Sequence, residues 1–355
     1  MTTFVADCHP VLIGSLPVSD HQQAVDMVLA HTPAIPLWVQ LPVFKQEGMI
    51  EQFLPGMPGL TRSDAKVWID TAGPDFDDAM LGFYEDYMAV SEGGADLIDS
   101  RFAFTPETAP GFFAFLDRVA AMDPAPAAVK GQVTGPVTFC TAVKDQQGAA
   151  IFYNDQLRDA AIKLLAMKAR WQVRRLSQFD RPVIVFLDEP ALAGFGSSEF
   201  ISISPSDIRA CLGEVVSAVH TEGGLAGIHV CANTDWSVIL DSSLDIVNFD
   251  AYGYFDRFVL YPDLIRAFFD KGKILAWGIV PTSEPEAIET ATVESLLAIW
   301  QGYAGQLEAL GVSSRALRQQ SLITPSCGTG SLSVPLAERV LALTRDLSAR
   351  IRQDF

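Results

Sequence analysis

The sequence predicts a (β/α)8 TIM barrel, a single domain over residues 1–355 with residues 1–30 as a short N-terminal extension. Three observations carry that prediction. Short apolar runs alternate with amphipathic stretches along the whole chain, without a composition break that would mark a linker. Some runs, such as Pro182–Leu187 (PVIVFL), are apolar at every position, as strands buried on both faces are. The reactive side chains follow these runs, and in such a barrel every C-terminal strand end opens onto one face.

The elements follow in order. Residues 10–17 (PVLIGSLP) read as a strand ending in a Gly-Ser turn; Asp20 then opens a helix with Ala24, Met27 and Val28 on one face. Pro36–Pro42 (PLWVQLP) is the next strand. Residues 43–64, rich in Gly, Pro and Met, form a long loop of the kind that often carries function. A helix over 75–92, a strand at 95–99 (ADLID), a helix over 107–122 and a strand at 129–133 come next. A long helix over 154–178 carries Lys163, Lys168, Arg170, Arg174 and Arg175 on what reads as a solvated face. The PVIVFL strand follows. Ser204–Pro205 then opens a helix to about 221, with Ser as cap and Pro in the first turn. Strands at 224–231, 244–249 and 273–280, a helix over 286–310, a strand at 321–324 and a helix over 333–352 complete the pattern. The eight barrel strands are those near 36, 95, 129, 183, 225, 245, 274 and 321. A doubly wound open sheet is the alternative, but both glycine-rich phosphate-loop motifs of such sheets are missing.

Composition sets bounds on function. A net charge of −18 over 355 residues disfavours nucleic acid and anionic membrane surfaces as partners. No apolar run approaches the ~18 residues of a membrane span, and the N-terminus lacks the features of a signal peptide. Five scattered cysteines, an odd number, do not make a disulfide framework. A cytoplasmic protein with reduced thiols is expected.

The chemistry collects at strand ends. His229 and Cys231 close GLAGIHVC, two positions apart, so in a strand imidazole and thiol share one side. Cys327 follows LITPS. Together these offer one nitrogen and two sulfurs, a donor set that suits Zn²⁺ and leaves a fourth position free, as in catalytic zinc sites. Asp250, after LDIVNF, is a fourth ligand or a partner that orients His229. Asp188 and Glu189 follow the PVIVFL strand and read as a grip on a substrate ammonium, as general acid/base groups, or as a capping pair. Lys130–Gly131 and Thr134–Gly135–Pro136 suggest backbone approaching a ligand. Cys211 reads as core helix and Cys8 as a loop thiol.

Taken together, VLIGSLP, VKGQVTGPVTF, FLDEPAL, GIHVC and the SCG at 326–328 resemble the catalytic C-terminal domain of cobalamin-independent methionine synthase, within the superfamily that includes uroporphyrinogen decarboxylase. The motifs come in that family's order and cover nearly the whole chain. The resemblance implies a zinc-dependent methyltransferase that moves a methyl group to homocysteine or a related thiol. It places His229, Cys231 and Cys327 on the zinc ligands, and Asp250 where the family has a ligand Glu. Asp188 and the Ile13–Gly14–Ser15 turn fall on residues that hold the amino-acid substrate. Asp99 and Glu107 are the candidates for a further substrate-side carboxylate. The short, single-barrel form points to a methylated corrinoid protein as donor, docking near the 43–64 loop. The alternatives are a uroporphyrinogen decarboxylase-like enzyme, which should need an N-terminal arginine cluster although the first arginine here is Arg62, and a non-catalytic metal- or corrinoid-binding barrel.

Overall fold

The computed structural model describes residues 4–63, 66–195 and 203–354. Strands β1 (Leu60–Arg62) and β2 (Val67–Ile69) form a small antiparallel hairpin. The main sheet is parallel and six-stranded. Its strands are β3 (Val129–Thr134), β4 (Val183–Asp188), β5 (Leu225–Val230), β6 (Ile246–Phe249), β7 (Ile274–Val280) and β8 (Ser321–Pro325), paired in chain order.

Period-two alternation divides the core in two. Odd-numbered residues of β4, Val183, Val185 and Leu187, pack with the helices in the main core. Even-numbered Ile184 and Phe186 join Ile246, Ile274, Ala276 and Leu322 in a separate cluster on the opposite face. That second face is the one the site uses. Its register aligns Thr134 with Asp188, Asp188 with His229, and His229 with Asn248, giving a polar row across four strands above the apolar cluster.

The expected eight regular strands are not formed. Residues 95–99 make turns, with only Leu97 buried. The Asp96 carboxylate accepts the Ile98 N–H, a local bond that competes with strand pairing, and Gly93 ends the preceding helix at positive φ. The two sheet edges are instead linked through residues 9–16 and 36–40 by isolated parallel bridges. Val11 donates to Ile323 O (2.9 Å), Gln40 to Gly14 O (3.0 Å) and Lys130 to Pro36 O (2.9 Å). Residues expected in an N-terminal extension therefore take part in the circuit. Pro10, Pro17, Pro36 and Pro42 lack the N–H that a regular ladder needs, which accounts for single bridges here.

The local signals read from sequence otherwise reappear. Asp20 accepts from Gln23 N at 2.8 Å as cap of helix His21–His31. Ser204 and Asp207 form a capping box at helix Pro205–Thr221, whose Cys211 is core. The helix expected over 286–310 is two, Pro285–Thr290 and Val293–Ala309, because Thr292 caps the second. The described part of the expected 43–64 loop is no free loop: Gln52, Phe53, Leu54 and Met57 are buried, and Gln52 bonds Gln40 and Thr108 O. Lys168 leaves the expected solvated face and is buried.

Candidate metal centre

β5 ends in His229 and Val230, and Cys231 follows directly. The turn after β8 carries Cys327. Although 96 residues separate the two cysteines in the chain, one ligand atom each from His229, Cys231 and Cys327 lie within 4.8 Å of one another. His229 is buried, and the two thiols are half-buried. The ring is held through Nδ1, which bonds Asn248 Oδ1, while the buried Nε2 has no hydrogen-bond partner. A buried nitrogen without a partner, next to two thiols, is the donor set a zinc ion takes. The residues present fit the metal.

Electrostatics sharpens the triad. The neighbouring Cys327, then His229, holds the Cys231 thiol well below the ordinary range, against burial. Cys327 is pushed up by the neighbouring Cys231 and by burial. Burial opposes charge on His229, but the neighbouring Cys231 and Asp188 raise its pKa overall.

Asp188 ends β4 with its Oδ1 buried and unpartnered. Burial raises its pKa, opposed by His229 and Lys130. Lys130 is fully buried on β3, donates to Ile13 O at 2.6 Å and lies 4.5 Å over the Phe186 ring. Burial lowers its pKa to about 8. The Ile13–Gly14–Ser15 turn therefore hangs on Lys130 at one end and on the Cys327 turn at the other. Thr329 N and Oγ1 donate to Ser15 O (3.1 and 3.0 Å), and Gly330 N donates to Ser15 Oγ at 3.2 Å. A slot of about 10 Å³ lies between these two turns, lined by Ile13, Gly14, Ser15, Cys327 and Gly328 among others.

Two expected residues sit differently. Asp250 stands outside the close triad and caps helix Ala251–Phe258, its Oδ1 taking the Gly253 N–H at 2.8 Å. Burial raises its pKa to about 6, and it feels the charges of His229 and Cys231. Both Glu189 oxygens are committed to the N-terminus of helix Pro136–Ala142. Oε1 accepts from Val137 N (2.8 Å), and Oε2 from Thr138 N (2.8 Å) and Oγ1 (2.6 Å). That is the capping alternative read from the sequence, where a catalytic role was also expected. Burial raises its pKa to about 7, against those three bonds. Asp99 and Glu107 are exposed and do not reach the polar row. Gly131 and Gly135 serve packing: a Cβ there would sit 2.3 Å from Gln172 and 2.2 Å from the Glu189 side chain.

Three residues of the site escaped the sequence reading. Asn248 lies beside His229 in register, Lys130 was noted only for its neighbouring glycine, and Gln132 packs against Gly14 with a buried, unpartnered Oε1. For two of them the signal was parity: Lys130 and Gln132 lie an even number of positions from Thr134 on the same strand.

No helix among the described residues is long and apolar enough to cross a membrane. No family model matches the chain, and no curated protein matches it. Solved structures do. A B12-independent methionine synthase from Shewanella sp. W3-18-1, in complex with selenomethionine, matches at 14% identity and TM-score 0.58, over 97% of this chain and 98% of that one. A putative vitamin-B12 independent methionine synthase from Listeria monocytogenes matches at 12% identity and TM-score 0.53, over 98% of both. Both names specify independence from B12, so they give the expected corrinoid donor no support. Over nearly its full length, this chain shares the fold of these two B12-independent methionine synthases.

Proposed function

We propose that this protein is a methyltransferase that transfers a methyl group to a thiol, homocysteine or a related aminothiol, at a zinc site formed by His229, Cys231 and Cys327. The observation that carries the reading is the convergence of those three donors with a histidine nitrogen left free. The ordered motifs of the sequence and the shared fold point the same way. Zinc held there would lower the pKa of a bound substrate thiol and keep it as the nucleophilic thiolate at neutral pH.

The chain's own groups do the rest. Asp188, with a free Oδ1, accepts a substrate ammonium. The Ile13–Gly14–Ser15 turn, held by Lys130 and by the Cys327 turn, presents backbone to the substrate carboxylate. Burial of Asp188 and His229 keeps water from the reacting thiol. Asp250, one methylene shorter than Glu, acts here as a cap and a nearby charge.

A uroporphyrinogen decarboxylase-like activity is disfavoured, because no arginine is buried among the described residues and Arg62 pairs with Glu51 at the surface. Elemental analysis of chelator-free protein beside Cys327→Ser tests the reading. About one zinc per chain, largely lost in the variant, is expected. No zinc in folded wild type after reconstitution refutes it. A zinc-loaded protein that methylates no thiol would be a non-catalytic metal-binding barrel.

A further inference from the structure

We infer that Asn248 is a positioning residue: it fixes the proton of His229 on Nδ1, so that Nε2 presents a lone pair toward Cys231 and Cys327. The inference rests on the zinc reading but is argued from hydrogen bonds alone. Asn248 is fully buried on β6, opposite His229. Its Nδ2 donates to Ala276 O (2.9 Å) and to Thr324 Oγ1 (2.7 Å). Thr324 spends its own proton on Pro325 O at 2.9 Å, so toward Asn248 it only accepts. These two bonds identify the amide end that faces away from His229. The end that faces the imidazole is the oxygen, and an amide oxygen only accepts. Nδ1 therefore carries a hydrogen and donates it to Oδ1. In the neutral ring, the lone pair is then on Nε2, the buried nitrogen with no partner.

The relay runs from β5 through β6 to β7 and β8, and Cys327 leaves the turn just after β8. It thus joins the strand that carries His229 to the strand that leads to Cys327. Turning the Asn248 amide over would set its NH2 against Nδ1 and lose both donor bonds, so the tautomer follows from packing across the sheet. Ring orienters of this kind typically change metal affinity ~10–100-fold when removed.

The test compares wild type, Asn248→Leu and Thr324→Val. Zinc affinity is measured by competition with a chromophoric chelator, and folding by circular dichroism. Long-range ¹⁵N–¹H spectra of histidine-labelled metal-free wild type report which ring nitrogen carries the proton. An Nδ1–H in wild type, with ~10–100-fold weaker zinc binding in folded Asn248→Leu and a smaller loss in Thr324→Val, supports the inference. An Nε2–H tautomer in wild type, or affinity within twofold of wild type in folded Asn248→Leu, overturns it. If Asn248→Leu does not fold, Thr324→Val and the wild-type spectrum decide. If wild type binds no zinc, the methyltransferase reading falls, while the spectrum still decides the role of Asn248.

Discussion

Replacing Lys168 with methionine should stabilise the protein strongly at low pH and hardly at all near pH 10. Lys168 is only 1% exposed, and among the described residues no carboxylate offsets its burial. Burial alone lowers its pKa from 10.5 to about 7. The sign follows from linkage. Between pH 7 and 10.5 the unfolded chain binds this proton and the folded chain does not, so stability rises with pH across that window. Below pH 7 both states are charged and the folded state bears the full cost. At 1.36 kcal/mol per pKa unit, the shift of 3.5 (10.5 − 7) corresponds to roughly 5 kcal/mol. The ammonium lies 4.8 Å over the Phe104 ring, and a desolvated cation–π contact returns about 2 kcal/mol. Methionine keeps a long unbranched side chain without the charge. Urea unfolding at pH 6, 8 and 10 should then show a gain of about 3 kcal/mol at pH 6, declining toward zero by pH 10. A gain that does not change with pH, or a loss at pH 6, would refute the reasoning and mean that the ammonium has a partner.

Two further substitutions test the packing around the site. Glu189→Gln should lower stability by about 2–3 kcal/mol at neutral pH, because an amide NH2 then faces an N–H of the helix terminus. Its zinc content should not change; loss of zinc with an unchanged melting temperature would contradict a purely capping role. Gly227→Ala should cost about 1–3 kcal/mol in thermal unfolding, since a Cβ would lie 2.3 Å from the Phe186 ring. Phe186→Leu in the same chain should recover part of that loss, and an unchanged melting temperature in the single variant would rule out the clash.

Much of the fold was legible. Asp20 and Ser204 announced their helices because a cap is a local hydrogen bond, set within three residues. PVIVFL read as a buried strand because every position along it is apolar. Residues 95–99 misled for the same reason inverted: the alternation looked like a strand, but Asp96 accepts the Ile98 N–H and the sheet edges are bridged through residues 9–16 instead. In the site, His229, Cys231 and Cys327 stood out by residue type and strand-end placement. Lys130 and Asn248 did not, since a lysine or asparagine is ordinary until it is known to be buried.

What the sequence by itself determined is therefore whatever covalent geometry repeats at short range. It set the parity that puts His229 and Cys231 on one side, the caps, and the strand ends where chemistry collects. Tertiary structure alone decided which strand ends meet, that a Cys327 ligand atom comes within 4.8 Å of those of His229 and Cys231, and that Asp250 caps a helix. It also decided that Glu189 caps a helix, that Lys168 is buried, and which nitrogen of His229 is free. Each of these depends on a desolvated environment assembled from distant segments, and desolvation is a property of packing that no local run of residues encodes.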